Sequence, residues 1–320
     1  MRVIEQDVLG GPEVLKLTET ERPEPGPSEV LVRVHAAGVN PTDYWHRSTG
    51  GLLGGPVRLG WDLSGVVAAI GPGVTVHEPG DEVFGMPRLP LAAGTYAEYV
   101  TAPARHLARK PAALSHVEAA GLGLAGLTAW QALTDVAGVR PGHRVLVHAA
   151  AGGVGHLAVQ IAKALGAHVT ATASGARHDF VRALGADQVI DYTTTDFTGV
   201  ARDLDAVIDP VGGEYGPRSL RTLRPGGILV ALASPAEARL TAVAREQGRR
   251  ARFMIVEPDR AGLLALTALV DAGRLRVEVD TVLPLEQAAK AHEIGQAGHA
   301  RGKIILTVAP PEHQAATGRS

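Results

Sequence analysis

The chain has 320 residues, 45% of them hydrophobic, and a formal net charge of -2 at pH 7. This balance is typical of a globular enzyme and gives no electrostatic reason to expect nucleic acid or an anionic membrane as a partner. Because cysteine is absent, disulfides, iron–sulfur clusters and cysteine-bound zinc are excluded. No apolar run is long enough for a membrane span and no signal-peptide core is visible, so we expect a cytoplasmic location.

The first third of the chain is predicted to consist mainly of short β-strands. Residues 30–34 alternate between the two faces of a strand, and residues 64–70 form an apolar run that a Gly-Pro-Gly turn ends. Short strands are also predicted at residues 83–84 and 96–100. From about residue 117 to residue 137, alanine and leucine recur at the spacing of a helix.

Strands and helices are predicted to alternate after the Pro-Gly turn at residues 141–142. The strands are expected at residues 145–147, 168–173, 188–190, 206–209 and 227–232, with helices at residues 177–184 and 215–223. This alternation is typical of a doubly wound parallel sheet. A helix at residues 263–270 and strands at residues 277–282 and 303–308 complete the pattern.

This order of elements predicts an α/β protein with two domains, since a single core rarely grows far beyond about 250 residues. Residues 1–120 are expected to form the N-terminal part of a β-barrel-like domain, and residues 121–262 an inserted Rossmann domain. Residues 263–320 return to the first domain, and the polar residues 309–320 within that segment are predicted to be disordered.

The strand at residues 145–147 leads through a turn of small residues into a helix, and this turn carries the strongest functional signal. Its pattern is Ala150-x-Gly152-x-x-Gly155, in which alanine replaces the first glycine of the usual dinucleotide fingerprint. Small residues let the backbone approach a pyrophosphate, whose charge is stabilised by the free N–H groups at the start of the helix. The residues predicted to bind the cofactor here are Ala150, Gly152, Gly153, Val154 and Gly155.

The residues after the second strand of this domain indicate which nucleotide binds. NAD-specific sites place an Asp or Glu about 20 residues after the glycine turn, where it holds the ribose hydroxyls. Here the strand is followed by Ser174 and Arg177, and the first carboxylate, Asp179, lies inside the next helix. A hydroxyl and a guanidinium suit the 2′-phosphate of NADP, so we predict NADPH as the cofactor.

Eight short motifs occur in an order that resembles the medium-chain dehydrogenase/reductase superfamily. They are GVNPTDY (38–44), LGWDLSGVV (59–67), GDEVFG (80–85), GLTAW (126–130), AAGGVG (150–155), GADQVIDY (185–192), RPGGILV (224–230) and GKIIL (302–306). The resemblance covers residues 1 to about 308 and is nearest to the zinc-free quinone oxidoreductases, the zeta-crystallin-like subgroup. It implies a GroES-like β-barrel catalytic domain joined to the doubly wound Rossmann domain.

The comparison with the zinc-dependent members of that superfamily predicts a site without metal. Asn40 stands where those relatives have a cysteine ligand, and Trp61 and Asp62 stand where they have His and Glu. Residues 85–94 form a short connection in place of the lobe that binds structural zinc. Without a Lewis acid an alkoxide is hard to stabilise, so hydride transfer to a quinone or an α,β-unsaturated carbonyl is expected instead of alcohol oxidation.

The resemblance also implies roles for individual residues. Asn40 and Asp43 lie on a loop that faces the nicotinamide, with Asn40 as donor to the substrate oxygen, although Asn40 could also be a turn residue bonded only to local backbone. Tyr44 is expected to stack on a flat acceptor or to fill the core, and Asn40, Asp43 and Tyr44 are the candidate catalytic residues. The remaining candidate cofactor contacts are Thr128, Ser174, Arg177, Tyr192, Ala231, Ser234, Phe253, Ile255 and Lys303.

The leading hypothesis is a zinc-independent reductase that transfers hydride from NADPH to a small quinone or enone. An enoyl-thioester reductase of the polyketide or fatty-acid type uses the same scaffold and chemistry. A third possibility is an NADPH-binding sensor or structural protein without turnover. A homodimer is also predicted, with the apolar residues 228–232 and 253–256 supplying a sheet edge for pairing.

Overall fold

The computed structural model describes residues 1–308, and the tail predicted to be disordered lies outside the described residues. Its fifteen strands are β1 (Arg2–Glu5), β2 (Lys16–Glu19), β3 (Glu29–Val39), β4 (Leu63–Ile70), β5 (Glu82–Gly85), β6 (Tyr99–Pro103), β7 (Leu107–Arg109), β8 (Arg144–Val147), β9 (His168–Ala173), β10 (Gln188–Asp191), β11 (Leu204–Asp209), β12 (Leu223–Ala231), β13 (Arg250–Phe253), β14 (Val279–Pro284) and β15 (Lys303–Thr307). Its ten α-helices are α1 (Pro41–Thr49), α2 (His116–Ala120), α3 (Gly123–Gln131), α4 (Gly155–Ala164), α5 (His178–Ala183), α6 (Phe197–Val200), α7 (Tyr215–Leu220), α8 (Leu240–Glu246), α9 (Arg260–Asp271) and α10 (Ala288–Gln296). No helix in this part of the chain is long and apolar enough to cross a membrane.

The first domain is built on a largely antiparallel sheet in the order β14-β15-β3-β4-β5-β7, with β6 paired to β3. The long strand β3 is almost continuously buried because strands pair along both of its edges. β15 runs antiparallel to the second half of β3, with Ile304 opposite Val39. The C-terminal part of the chain therefore belongs to the same sheet as the N-terminal part.

The second domain is a six-stranded sheet in the order β10-β9-β8-β11-β12-β13, and all of its pairings are parallel. Counted from its first strand, this is the 3-2-1-4-5-6 order of a Rossmann domain, in which ligands bind at the carboxyl ends of the strands. Helices cover the sheet, and its inner strands are apolar and buried, as parallel strands covered on both faces require. The predicted α/β fold class is confirmed.

The predicted helix over residues 117–137 is three elements instead of one. Ser115 caps α2 by accepting a hydrogen bond from the backbone of Glu118, and α2 ends at Ala120. α3 follows after a short break, and a π-helical turn covers Ala132–Val136. The break brings Gly123 so close to its neighbours that a Cβ there would lie 2.7 Å from Asp62 Oδ1. Helices α8 and α10 were not predicted from the sequence.

The sheet edge expected at residues 228–232 is not free, so that part of the dimer prediction is wrong. These residues lie in β12, which is hydrogen-bonded to β11 on one side and to β13 on the other. β13, to which Phe253 belongs, is one of the two edge strands of the parallel sheet, and β10 is the other. The homodimer itself stays a prediction.

Two buried glutamines fasten the Rossmann domain to the segments that connect it with the first sheet. The side chain of Gln131 exchanges two hydrogen bonds with the backbone of Glu257, at 2.8 and 3.0 Å. The side chain of Gln160 does the same with the backbone of Arg276, at 3.0 and 3.0 Å. Each amide acts like one residue of a neighbouring strand, so both connecting segments have a fixed path.

Replacing Gly155 by alanine is expected to destabilise the protein, although alanine normally favours a helix. Gly155 is the first residue of α4, and a Cβ there would lie well inside van der Waals contact of the Ala149 carbonyl oxygen. Such overpacking costs about 1–3 kcal/mol, so the thermal midpoint should fall by several degrees. Gly199→Ala is the control, because a Cβ at that helical position meets nothing within 4 Å. Equal midpoints for the two variants would contradict the steric argument.

Candidate active site

The glycine turn joins β8 to α4 at the carboxyl edge of the parallel sheet. Ala149 adopts a positive φ of 48°, and Gly152 N donates to its carbonyl oxygen at 2.9 Å. His156 fastens the turn, since its Nδ1 lies 2.9 Å from Gly152 O and its Nε2 accepts from Glu278 N at 3.2 Å. Burial lowers the pKa of His156 to about 4, so the ring is neutral at neutral pH. The turn is followed directly by the N-terminus of α4, the end of a helix that stabilises an anion.

Three of the predicted cofactor contacts lie at the ends of the neighbouring strands β9 and β10. Ala173 pairs with Asp191, so Ser174 and Tyr192, the next residues along the chain, leave the sheet side by side. Tyr192 is 48% exposed. Arg177 is half-buried, and its Nη2 donates to the carbonyl oxygen of His299 at 3.1 Å. The strand register thus brings a hydroxyl, a phenol and a guanidinium to one surface.

Asp191 is a carboxylate at this surface that the sequence analysis did not identify. It ends β10, and a Cβ on Gly175 would lie only 2.8 Å from its Oδ2. Hydrogen bonds from the Thr193 side chain and backbone lower the pKa of Asp191, so the group is ionised at neutral pH. The search for an acid after the second strand missed it because the acid follows the third.

Ala231, Ser234, Phe253 and Ile255 lie at the ends of β12 and β13. Ala231 pairs with Phe253, and Ser234 begins a short 3₁₀ turn by accepting from Ala236 N at 3.3 Å. A cavity of about 560 Å³ lies beside this edge, and of the predicted site residues only Ile255 lines it. The cavity lining is Gln131, Asp135, Val136, Arg252, Met254, Ile255, Glu257, Pro258 and Asp259.

Asn40, Asp62 and Lys303 form a buried polar cluster, in which no residue is more than 3% exposed. Lys303 Nζ donates to Asn40 Oδ1, and it also lies 3.3 Å from Val39 O and 3.4 Å from Asp62 Oδ2. Asn40 Nδ2 donates to Asp62 Oδ2 at 2.9 Å. Because an ammonium can only donate and a carboxylate can only accept, these partners fix the orientation of the Asn40 amide.

The Asp62 carboxyl is the acidic partner of Lys303 in this cluster. Burial raises its pKa, and the Lys303 charge and the hydrogen bond from Asn40 offset only part of that rise. Its second oxygen, Oδ1, accepts from the backbone N–H of Leu124 at the start of α3. Asp62 therefore connects the C-terminal strand β15, the residue before α1, and α3.

The donor set of the cluster does not fit the zinc ion of the metal-dependent relatives. Zinc is usually held by three or four nitrogen, sulfur or carboxylate ligands. Here Asp62 is the only such ligand, and its Oδ2 already faces the Lys303 ammonium. Among residues 1–308 no group of three or more His, Cys, Asp or Glu is arranged to hold a metal.

The segment expected to be a loop at Asn40 and Asp43 is the start of helix α1. Pro41 occupies the first helical position, and Asp43 Oδ2 accepts from Asn40 N at 2.7 Å, a pattern that begins helices. Asp43 is completely buried, and its other oxygen accepts from Gly60 N at 2.9 Å. Burial raises the pKa of Asp43 to about 7. The Asp43 carboxyl therefore joins the main chain of Asn40 to that of Gly60.

The contacts of Tyr44 and Thr128 are with residues outside the cluster. The Tyr44 ring is half-buried and makes an edge contact with His292 of α10, with centroids 6.0 Å apart. Thr128 lies one turn beyond Leu124, and its hydroxyl donates to Leu124 O at 2.7 Å. The expected roles of Tyr44 as a stacking surface and of Thr128 as a cofactor contact stay predictions.

Two family descriptions match this chain. Residues 26–112 match the "Alcohol dehydrogenase GroES-like domain", and residues 184–306 match "Zinc-binding dehydrogenase". The protein named NAD(P)H oxidoreductase RTN4IP1, mitochondrial, from Mus musculus is 34% identical over 329 residues, which span 88% of this chain and 82% of that protein.

Solved structures of similar proteins include two quinone oxidoreductases. The enzyme from Coxiella burnetii has a TM-score of 0.91 and 40% identity, over 97% of this chain and 99% of that chain. The enzyme from Escherichia coli, solved in complex with NADPH, has a TM-score of 0.84 and 28% identity, over 96% of this chain and 100% of that chain.

Removing the Lys303 ammonium is expected to destabilise the protein strongly. Lys303→Met leaves the buried Asp62 carboxylate without its cation, a change that typically costs about 3–5 kcal/mol. Asp62→Asn combined with Lys303→Met should lose less than the sum of the single losses, since no uncompensated charge remains. Urea unfolding of the two single variants and the double variant measures this coupling. Lys290→Met, which breaks an exposed pair with Glu293, is the control and should leave the unfolding midpoint nearly unchanged. Strictly additive losses would contradict a buried ion pair.

Proposed function

The chain belongs to the medium-chain dehydrogenase/reductase superfamily, among its quinone oxidoreductase-like members, and on that premise we propose that it reduces a quinone or an α,β-unsaturated carbonyl compound with NADPH. The observation that carries the proposal is a fixed positive charge beside the glycine turn. A Cβ on Gly153 would lie 3.4 Å from Lys303 Cδ, and Gly302 N donates to Ala151 O at 2.9 Å. The cluster of Asn40, Asp62 and Lys303 thus adjoins the cofactor turn.

The cofactor half of the proposal rests on the turn and on the surface formed by Ser174, Arg177 and Tyr192. Gly152, Gly153 and Gly155 have no side chains, so the backbone at the start of α4 can come close to a pyrophosphate. Arg177 would bind the 2′-phosphate through its planar set of donors. When bound there, NADPH would supply the hydride.

The acceptor half of the proposal rests on the Asn40 amide. One of its two hydrogens is held by Asp62 at 2.9 Å, whereas the other has only a 3.4 Å contact with Gly38 O. We assign that second hydrogen to the acceptor oxygen. Lys303 donates a hydrogen bond to the Asn40 amide oxygen and so draws electron density from the amide. The N–H of Asn40 is therefore a stronger donor to the acceptor oxygen, where negative charge develops.

A conjugated acceptor suits this arrangement better than a simple alcohol does. The negative charge that develops during reduction of a quinone or enone spreads over several atoms, so one polarised amide and a nearby ammonium are sufficient support. The Tyr44 ring is assigned as a wall for a flat acceptor. No step in this scheme requires a metal at Asp62, whose oxygens already accept from Asn40, Leu124 and Lys303.

Arg177→Ala is expected to weaken NADPH binding by about tenfold or more and to leave NADH binding nearly unchanged. The lost charge-assisted contact to a phosphate is worth about 1.5–3 kcal/mol, and 1.4 kcal/mol corresponds to a factor of ten. Titration calorimetry with both nucleotides measures the change. Arg182→Ala, which removes an exposed arginine paired with Asp179, is the control. An equal loss for both nucleotides would refute the assignment of the 2′-phosphate.

Asn40→Ala is expected to lower kcat/KM for the acceptor by roughly 10²-fold, as loss of one such donor does, while NADPH affinity changes little. Oxidation of NADPH is followed across a panel of quinones, enals, enones and enoyl thioesters, and simple primary alcohols are offered with NADP. Ser48→Ala, an exposed hydroxyl on α1, is the control.

Turnover confined to enoyl thioesters would identify the polyketide-type reductase instead. Tight NADPH binding with no turnover of any acceptor would indicate a sensor or structural protein. If a simple alcohol proves the best substrate, or if Asn40→Ala leaves every acceptor rate unchanged, the proposed function is wrong.

A further inference from the structure

Arg47 is a buried cation whose direct partners are neutral. It is 1% exposed and lies on α1, one turn after Asp43. Its guanidinium donates to Gly10 O at 3.0 Å, to Gln296 Oε1 at 3.1 Å and to Nδ1 of His292 at 3.1 Å. Burial lowers the pKa of Arg47, and the negative charge of Glu13 opposes that effect. A second carboxylate, that of Asp43, is reached through the hydrogen-bond partners of Arg47 and adds to the compensation of this costly buried charge.

The direction of the hydrogen bonds at His292 follows from the chemistry of Arg47. A guanidinium only donates, so Nδ1 of His292 accepts and carries no proton. Burial and the charge of Arg47 lower the pKa of His292 to about 3, so the ring is neutral and its single proton is on Nε2. That Nε2–H donates to the Tyr96 hydroxyl oxygen, 3.3 Å away.

Tyr96 passes the polarisation on to Asp43. Its oxygen accepts the hydrogen bond from His292 Nε2–H, and its own hydroxyl makes a side-chain hydrogen bond to the Asp43 carboxylate. Burial and the negative charge of Asp43 raise the pKa of Tyr96 well above its usual value, so the phenol keeps this hydrogen. Asp43 in turn accepts the backbone N–H groups of Asn40 and Gly60.

We propose that Arg47, His292 and Tyr96 act as one directed hydrogen-bond chain that stabilises the Asp43 carboxylate and, through it, holds the main chain of Asn40 in place. Asp43 and His292 are then positioning residues for the acceptor site. The role of these hydrogen bonds in the acceptor site rests on the proposed function of Asn40, whereas the hydrogen bonds themselves rest on the contacts given above. Through His292, the distant helix α10 is part of the support of the acceptor site.

Other charged and titratable groups also act on Asp43. Asp62 and burial raise its pKa, and Lys303 and the two backbone N–H groups lower it. Tyr44 follows it on α1, and Glu13 acts on the Arg47 end of the chain. Tyr44 also packs against the His292 ring, and Tyr96→Phe leaves that ring in place, so this variant separates the loss of packing from the loss of the hydrogen bonds.

The test compares two substitutions of His292 that differ only in hydrogen bonding. His292→Gln keeps an acceptor for Arg47 and a donor for Tyr96, whereas His292→Leu keeps neither. The titration of the Asp43 carboxyl is followed by ¹³C NMR of the protein labelled in aspartate and without cofactor, and Asp43→Asn identifies its signal. Loss of a donor that favours the charged form should raise the Asp43 midpoint by about one pH unit in His292→Leu and leave it near the wild-type value in His292→Gln.

The pH profile of kcat/KM tests whether the ionisation of Asp43 affects the reaction. If Asn40 needs an ionised Asp43, activity is present above the Asp43 pKa of about 7 and is lost as the pH falls through it. The acid limb should therefore move to higher pH in His292→Leu and return in His292→Gln. Tyr96→Phe, which removes the hydroxyl alone, must shift the Asp43 titration in the same direction, and it replaces His292→Leu if that variant does not fold.

The proposed series of hydrogen bonds is wrong if the Asp43 titration has the same midpoint in His292→Leu and His292→Gln, or if Tyr96→Phe does not shift it. If the Asp43 titration shifts but the acid limb of the kcat/KM profile does not move, these hydrogen bonds do not position Asn40. If the Asp43 titration shifts but the protein reduces no acceptor, the hydrogen bonds from Arg47 to Asp43 are supported and the proposed function is refuted.

Discussion

The candidate site depends on the attraction between the Lys303 ammonium and the Asp62 carboxylate, two groups 241 residues apart in the chain. Removing two charges from water costs several kcal/mol for each ion, and only close contact with further hydrogen bonds offsets it. Asn40, Val39 and Leu124 provide those bonds. Strand β15, strand β3 and helix α3 are consequently held to one another within the tolerance of a hydrogen bond.

Asn40 lies between two pairs of opposite charge, one in direct contact and one linked through other side chains. Lys303 and Asp62 contact its side chain directly, while Arg47 and Asp43 are separated by His292 and Tyr96 and act on its backbone N–H. In both cases a cation and an anion share the interior, so neither charge is left alone in a medium of low dielectric constant. An amide held at both its side chain and its main chain needs little reorganisation when charge develops next to it.

The sequence was sufficient for the features that depend on local pattern. The second strand of the Rossmann domain was predicted at residues 168–173 and is His168–Ala173, a run of β-branched and small residues that is buried after His168. The glycine turn also lies where it was predicted, between β8 and α4. Both features are encoded by neighbouring residues and need no knowledge of distant contacts.

Features that depend on register or on distant partners were not predictable in the same way. Asp191 reaches Gly175 only because β10 pairs with β9 in one register. A histidine within a helix rich in alanine gives no sign that an arginine 245 residues earlier will donate to it. The start of α1 did leave a local signal, Asn-Pro-x-Asp, which a search for helix caps would have found.

The placement of β15 inside the first sheet has a consequence for biosynthesis. The second half of β3 is made early by the ribosome, yet its hydrogen-bonding partner is completed only at Thr307. The Rossmann sheet, by contrast, pairs strands that are close in sequence and emerge together. The inserted domain can therefore fold while the chain is still growing, whereas the domain that begins the chain waits with an open strand edge and an uncompensated Asp62 until its final strand arrives.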